Sequence, residues 1–120
     1  MNDFTQYPVH DMSILDAIAR DTSPEIVPRL VAIFLKEGIR RRAALAEALA
    51  CRDREVIGRE SHALKSAAAS FGCMRLAAQA RATDAVYKTG EDETLFALAP
   101  LLIASLEEAE AVLQAVNMGE

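Results

Sequence analysis

Asp53-Arg54-Glu55-Val56-Ile57-Gly58-Arg59-Glu60-Ser61-His62-Ala63-Leu64-Lys65-Ser66-Ala67-Ala68-Ala69-Ser70-Phe71-Gly72 reads as one complete helix, from its cap to its stop. Asp53 is a good N-cap, because its carboxylate accepts from the free N–H groups of the first turn. Alanine dominates the interior, and alanine loses the least on entering a helix. Val56, Ile57, Leu64, Ala67, Ala68 and Phe71 recur at helical spacing and form one apolar side. Gly72 supplies the left-handed residue at which such a helix stops. A helix with one apolar side needs neighbours to cover it, so its flanks decide the architecture.

Those flanks are helical too. Only Cys73 separates Gly72 from a run over Met74 to about Lys88, with Leu76, Ala77, Ala80 and Val86 on its apolar side. Thr89-Gly90 ends it, and Asp92 is placed to cap a last helix from about Glu93 to Val116. Pro100 must either kink that helix or mark its true first turn, since proline has no N–H to donate. Upstream, Ser23 and Pro24 mark a helix start, Ser23 as N-cap and Pro24 as the first helical residue. This long helix reaches about Ala50 and buries Leu30, Ile33, Phe34, Leu45 and Leu49. Pro28 sits awkwardly near its beginning, where the nitrogen should already be donating, so the helix either starts later or bends there, and Gly38 weakens it without ending it. Asp11 caps a short helix through about Arg20, striped by Ile14, Leu15 and Ile18. Residues 1–10 read as an irregular lead-in and residues 117–120 as a frayed end. Residues 11–116 therefore predict an all-α, antiparallel up-down four-helix bundle with a short additional N-terminal helix closing one end.

The totals agree with a single helical domain. At 120 residues the chain can bury a core without staples. A net charge of −5 argues against nucleic acid as the main partner. Cys51 and Cys73 lack metal-ligand spacing and suit a reducing compartment. Met1-Asn2-Asp3-Phe4 has neither the basic nor the apolar region of a signal peptide. No apolar run approaches the roughly 20 residues of a membrane span. A cytoplasmic protein is expected.

His62 lies off the apolar stripe, and its neighbours one turn away are Gly58, Arg59, Lys65 and Ser66. Two of the four have almost no side chain, so a large partner can reach the ring. A neutral imidazole attacks phosphorus, and an unperturbed one titrates near pH 6.5, roughly where cells work. A phosphohistidine carries negative charge, which Lys65 is placed to offset. The bland alternative is a solvated surface histidine beside an ordinary helix lysine. His10 falls in the lead-in and draws no role.

The run His62-Ala63-Leu64-Lys65-Ser66, with Phe71-Gly72, resembles the signature of histidine-containing phosphotransfer (HPt) domains, His-x-Leu-Lys-Gly followed by a helix-ending glycine. The resemblance extends to Asp53 upstream, to Leu76-Ala77-Ala78 after the glycine, and to the short helix plus four-helix bundle. It implies that His62 is phosphorylated, that Lys65 is its electrostatic partner and that Gly72 terminates the helix. Ser66 departs from the family's glycine. It is still small, and its hydroxyl is able to bond the imidazole or phosphoryl. Polar residues of the fourth helix often orient the histidine in this family, and the resemblance points to Asp84 and Lys88 for that place. The implied function is a phosphocarrier of a two-component phosphorelay. It takes a phosphoryl group from the aspartate of one receiver domain and passes it to another receiver. The divalent ion and the catalytic groups then belong to the receiver, and the chain needs no metal or cofactor and is not itself an enzyme. A monomer is expected, contacting receivers of response regulators or hybrid kinases around His62. Ile14 and Ile18 either join that patch or merely cover the bundle end.

Other readings compete. A chemotaxis-type histidine kinase has a phosphoacceptor module whose motif also closes on Phe-Gly. A helical interaction module without phosphotransfer places no demand on position 62. A dimetal bundle uses Glu-x-x-His pairs, but Arg59 and Tyr7 stand three residues before His62 and His10. Arg40-Arg41-Arg42 with Lys36 suggests anion binding, but Glu37 and Glu47 close by favour a solvated helix face.

Overall fold

The computed structural model describes residues 3–119, and the described residues are helical almost throughout. Five α-helices follow in order: α1 Met12–Asp21, α2 Ile26–Cys51, α3 Arg54–Ser70, α4 Met74–Thr89 and α5 Asp92–Asn117. Helices α2 to α5 form the antiparallel up-down bundle, and α1 lies against α2, with Leu15 and Ala19 near Val27 and Pro28 at its N-terminal end. The core runs along the bundle axis through Val31, Phe34, Leu45, Ile57, Leu64, Leu76, Leu102 and Leu106, all buried, with Leu15 of α1 at one end. α3 and α4 make the most intimate pair. Small residues allow it: Gly58 and Ser61 of α3, with Ala77 and Ala80 of α4, are buried.

Asp53 caps α3 by accepting from the Val56 N–H at 3.3 Å. At its other end Gly72 takes φ +82°, and a Cβ there would stand 2.5 Å from the Asp11 carbonyl oxygen. Glycine is thus required both for the turn and for the chain that crosses it. The Asp11 N–H donates to the Gly72 carbonyl at 2.8 Å, and the Arg75 N–H to that of Pro8 at 3.0 Å. The His10 ring donates through Nε2–H to the Phe71 carbonyl at 2.8 Å. His10 is therefore a structural tie. Much of the expected irregular lead-in is pinned to the α3–α4 turn, and Phe4–Gln6 forms one 3-10 turn capped by Asp3. The expectations for Met1, Asn2 and Glu120 lie outside the described residues.

Several helix ends differ from expectation. α2 begins at Ile26, because Ser23-Pro24-Glu25 forms a turn in which the Ile26 N–H reaches the Ser23 carbonyl at 3.2 Å. Pro28 then falls in the first turn, where an N–H has no helical partner, and its position is comfortable. Ile33 is 61% exposed and not part of the buried side, while Leu30 and Leu49 are half-buried. Asp92 is the first residue of α5, with Glu91 at the cap position. The Asp92 carboxylate instead accepts from Arg54 Nε at 2.8 Å. Pro100 lies well inside α5 on its exposed face, so it does not mark the first turn. The helix continues to Asn117, whose side-chain amide donates to the Pro28 carbonyl at 3.0 Å. That bond ties the end of α5 to the start of α2, where fraying was expected.

Candidate functional site

α3 presents its buried stripe, Ile57, Leu64 and Ala68, to the core and leaves His62 near the middle of the opposite face. The imidazole is 62% exposed. Across the seam α4 brings Ala77, Ala80 and Asp84 to bear, residues three and four positions apart and hence on one face. Asp84 is therefore a carboxylate on a buried face, with its side chain 5% exposed. Its Oδ2 accepts from Lys65 Nζ at 2.7 Å, and Lys88 Nζ lies 3.1 Å from the same atom. Its Oδ1 has no hydrogen-bond partner and stands 3.4 Å from His62 Nδ1. Burial pushes the Asp84 carboxyl up, but hydrogen bonds and charge from Lys65 and Lys88 outweigh it and hold it below the ordinary value. Asp84 is thus ionised, with one oxygen saturated by cations and the other facing a histidine. An open groove of about 530 Å³ runs beside this cluster, lined by Lys65, Ser66, Arg81, Asp84 and Lys88.

An exposed imidazole on a rigid helix, backed by two cations, is built to carry an anionic group. The family model for the Hpt domain matches residues 29–115. The chain belongs to the Hpt domain family. The match takes in α3, α4 and most of α2 and α5. Phosphorelay protein LuxU from Vibrio cholerae serotype O1 is 40% identical over 81 residues, which cover 68% of this chain and 72% of LuxU. The crystal structure of histidine-containing phosphotransfer protein B (HptB) from Pseudomonas aeruginosa PAO1 matches with a TM-score of 0.82 over 94% of this chain and 97% of that one. At 18% identity that likeness establishes the fold. The Hpt domain is a histidine phosphotransfer carrier of a phosphorelay, and receiver domains are its general class of partner.

The Hpt domain's own geometry revises several expectations from its sequence. Lys65 does not stand free beside the ring; it is half-buried and committed to Asp84. Asp84 and Lys88, weakly marked in the sequence, are the centre of the cluster. A signal was present: Asp84 is an acidic residue at apolar spacing from Ala77 and Ala80, where a carboxylate needs a buried partner. Ser66 is exposed as its place on the helix predicts. Its hydroxyl makes no bond to the ring, and its carbonyl accepts from Ser70 Oγ at 2.9 Å. Gly58 does not open space for a partner. It is buried, and a Cβ there would lie 2.5 Å from the Tyr87 ring, so its role is to seat α4 against α3.

Arg40-Arg41-Arg42 is not one solvated face. Arg40 pairs with Glu37 at the surface, but Arg41 bonds the buried Glu60 of α3 at 2.8 Å and Arg42 the buried Glu110 of α5 at 2.8 Å. Ile18 packs against the core, and Ile14 sits over the Gly72 turn. That turn is ten residues from His62, roughly 15 Å along the helix. Among the described residues no helix is long and apolar enough to cross a membrane.

Proposed function

We propose that His62 is the residue on which this Hpt domain carries the phosphoryl group. The supporting observation is the single exposed imidazole beside an ionised carboxylate that gathers two lysines. A phosphoryl group on the exposed His62 ring is open to a partner, and the ammonium groups of Lys65 and Lys88, gathered on the carboxylate beside the ring, offset its charge. The acyl phosphate of a receiver aspartate is the donor, and a second receiver is the acceptor. Transfer of this kind depends on in-line positioning and charge stabilisation, so the divalent ion and the remaining catalytic groups come from the receiver. Lys65 then acts as an electrostatic partner, and Ser66 keeps the approach to the ring open. The chain works as a cytoplasmic monomer on residues 11–116, without cofactor or nucleic acid.

Radiolabel transfer from a phosphorylated receiver tests this reading. Wild type takes up label that is acid-labile and base-stable, as a phosphoramidate is. His62→Gln keeps its melting temperature, because the ring is solvent-exposed, and takes up none. Undiminished labelling of His62→Gln removes His62 from the mechanism.

A further inference from the structure

Lys65, Arg81 and Lys88 bring three positive charges to the groove beside the site, against one negative charge from Asp84. That excess lies in a chain whose net charge is −5. The three cations are not alike. Lys65 and Lys88 both converge on Asp84 Oδ2, at 2.7 and 3.1 Å, and Arg75, further along α4, pairs with Glu108 at 3.3 Å. Arg81 is exposed and pairs with no carboxylate among the described residues. Two carboxylates line the grooves that Arg81 borders, and both are engaged elsewhere. Asp84 is turned into the α3–α4 seam, and Asp3, in the groove between the lead-in and α4, accepts from the Thr5 N–H at 3.0 Å. The rest of the lining beside the site is small, Ser66, Ala69 and Ala85, so the groove is open to a side chain from a partner.

Arg81 stands three residues before Asp84, roughly 5 Å along α4 from the carboxylate that faces His62. The charge of a phosphoryl group on the ring falls to the lysines. A guanidinium one turn away suits a second anion, and its planar fork matches a carboxylate through two parallel hydrogen bonds. The partner's chemistry supplies that anion. A receiver that brings an aspartate and a divalent ion holds the ion with carboxylates of its own, so the face it turns to His62 is acidic. We propose that Arg81 is a specificity-determining residue for partner choice: its guanidinium takes a carboxylate on the rim of the docking receiver's acidic site. This deepens the assignment of His62 as phosphoacceptor and rests on it. Arg81 touches neither the ring nor phosphorus. It acts on the encounter, drawing in a receiver with an acid at that place and repelling one with a cation there.

The test follows transfer from a phosphorylated receiver domain that labels wild type, at rising receiver concentration, with phosphoramidate as a donor that has no rim. Arg81→Glu raises the half-saturating receiver concentration about tenfold by like-charge repulsion, and leaves the maximal rate and labelling by phosphoramidate as in wild type. Arg81→Gln gives a smaller rise, about threefold, weakens the salt dependence, and carries the test should the charge reversal disturb the fold. Replacing the receiver's rim carboxylates by lysine, one at a time, then finds one change that restores transfer to Arg81→Glu. An unchanged half-saturation in both variants makes Arg81 an ordinary solvated arginine and overturns the proposal. Equal slowing with phosphoramidate also overturns it, because the defect then lies at the ring. So does a raised half-saturation that no receiver substitution reverses. Each of these results leaves the His62 assignment standing, whereas labelling of His62→Gln defeats that assignment and leaves the receiver comparison valid.

Discussion

Two parts of this bundle bury carboxylates among cations, and they do so to different ends. Between α2 and its neighbours, Glu60 and Glu110 each meet an arginine. Arg42 reaches both oxygens of Glu110, at 2.8 and 3.5 Å, and Arg41 reaches Glu60 at 2.8 Å while Arg59 stands 3.6 Å from its other oxygen. Every oxygen of the two glutamates has a cation within reach. Between α3 and α4 the same ingredients are lopsided, with two lysines on one oxygen of Asp84 and an exposed imidazole opposite the other. Arginine's fork satisfies a carboxylate and locks it, whereas a lysine is a point charge on a flexible stem that can be drawn to a new anion. A saturated pair holds helices together. An unsaturated one has capacity left for chemistry.

The contrast breaks most visibly at Arg42. Arg42→Ala strands the buried Glu110 and is expected to cost about 3 kcal/mol, since losing one partner leaves an uncompensated charge. The melting temperature falls on the order of 10 °C, while transfer below the transition is unchanged. A parallel loss of transfer would show that the two clusters are coupled. At the α3–α4 seam, Gly58→Ala drives a methyl group into the Tyr87 ring and costs about 2 kcal/mol, overpacking outweighing alanine's better helix propensity. Thermal unfolding checks it, and a raised melting temperature would mean that the seam yields easily.

Ser66→Leu tests access alone. Melting temperature holds or rises, transfer from a receiver drops by more than about tenfold, roughly 1.4 kcal/mol in barrier, and labelling by phosphoramidate changes less. Equal slowing with both donors would locate the defect in the ring itself. Lys65→Ala is milder, because Lys88 remains on Asp84: about a fivefold slower transfer, from the loss of roughly 1 kcal/mol of charge stabilisation. Single-turnover kinetics at low salt measures it. The smallest effect is in pH. The folded-state pKa of Asp84 lies below its ordinary 3.8, so its contribution is complete above that value and is lost as pH falls through the lower, folded-state one. The stability gap between wild type and Asp84→Asn should therefore close in acid.

Periodicity, caps and stops carried most of the architecture. Asp53 and Gly72 bound α3 because capping and left-handed turns are local matters that one residue's chemistry decides. The bundle followed from four apolar stripes with short connections, and the His62–Lys65 spacing was legible because helix geometry places neighbours three and four apart together. Helix starts at Ile26 and Asp92 were misplaced by one or two residues, since a turn competes with a cap for the same side chains. What no single segment held was the pairing of helices. Whether Arg42 meets solvent or Glu110, whether Gly58 opens a face or seats Tyr87, and whether Lys65 stands free or meets Asp84 all depend on partners 19 to 68 positions away in the chain. Packing set those distances, and the field at His62 is a sum over groups that only packing brings within a few ångströms.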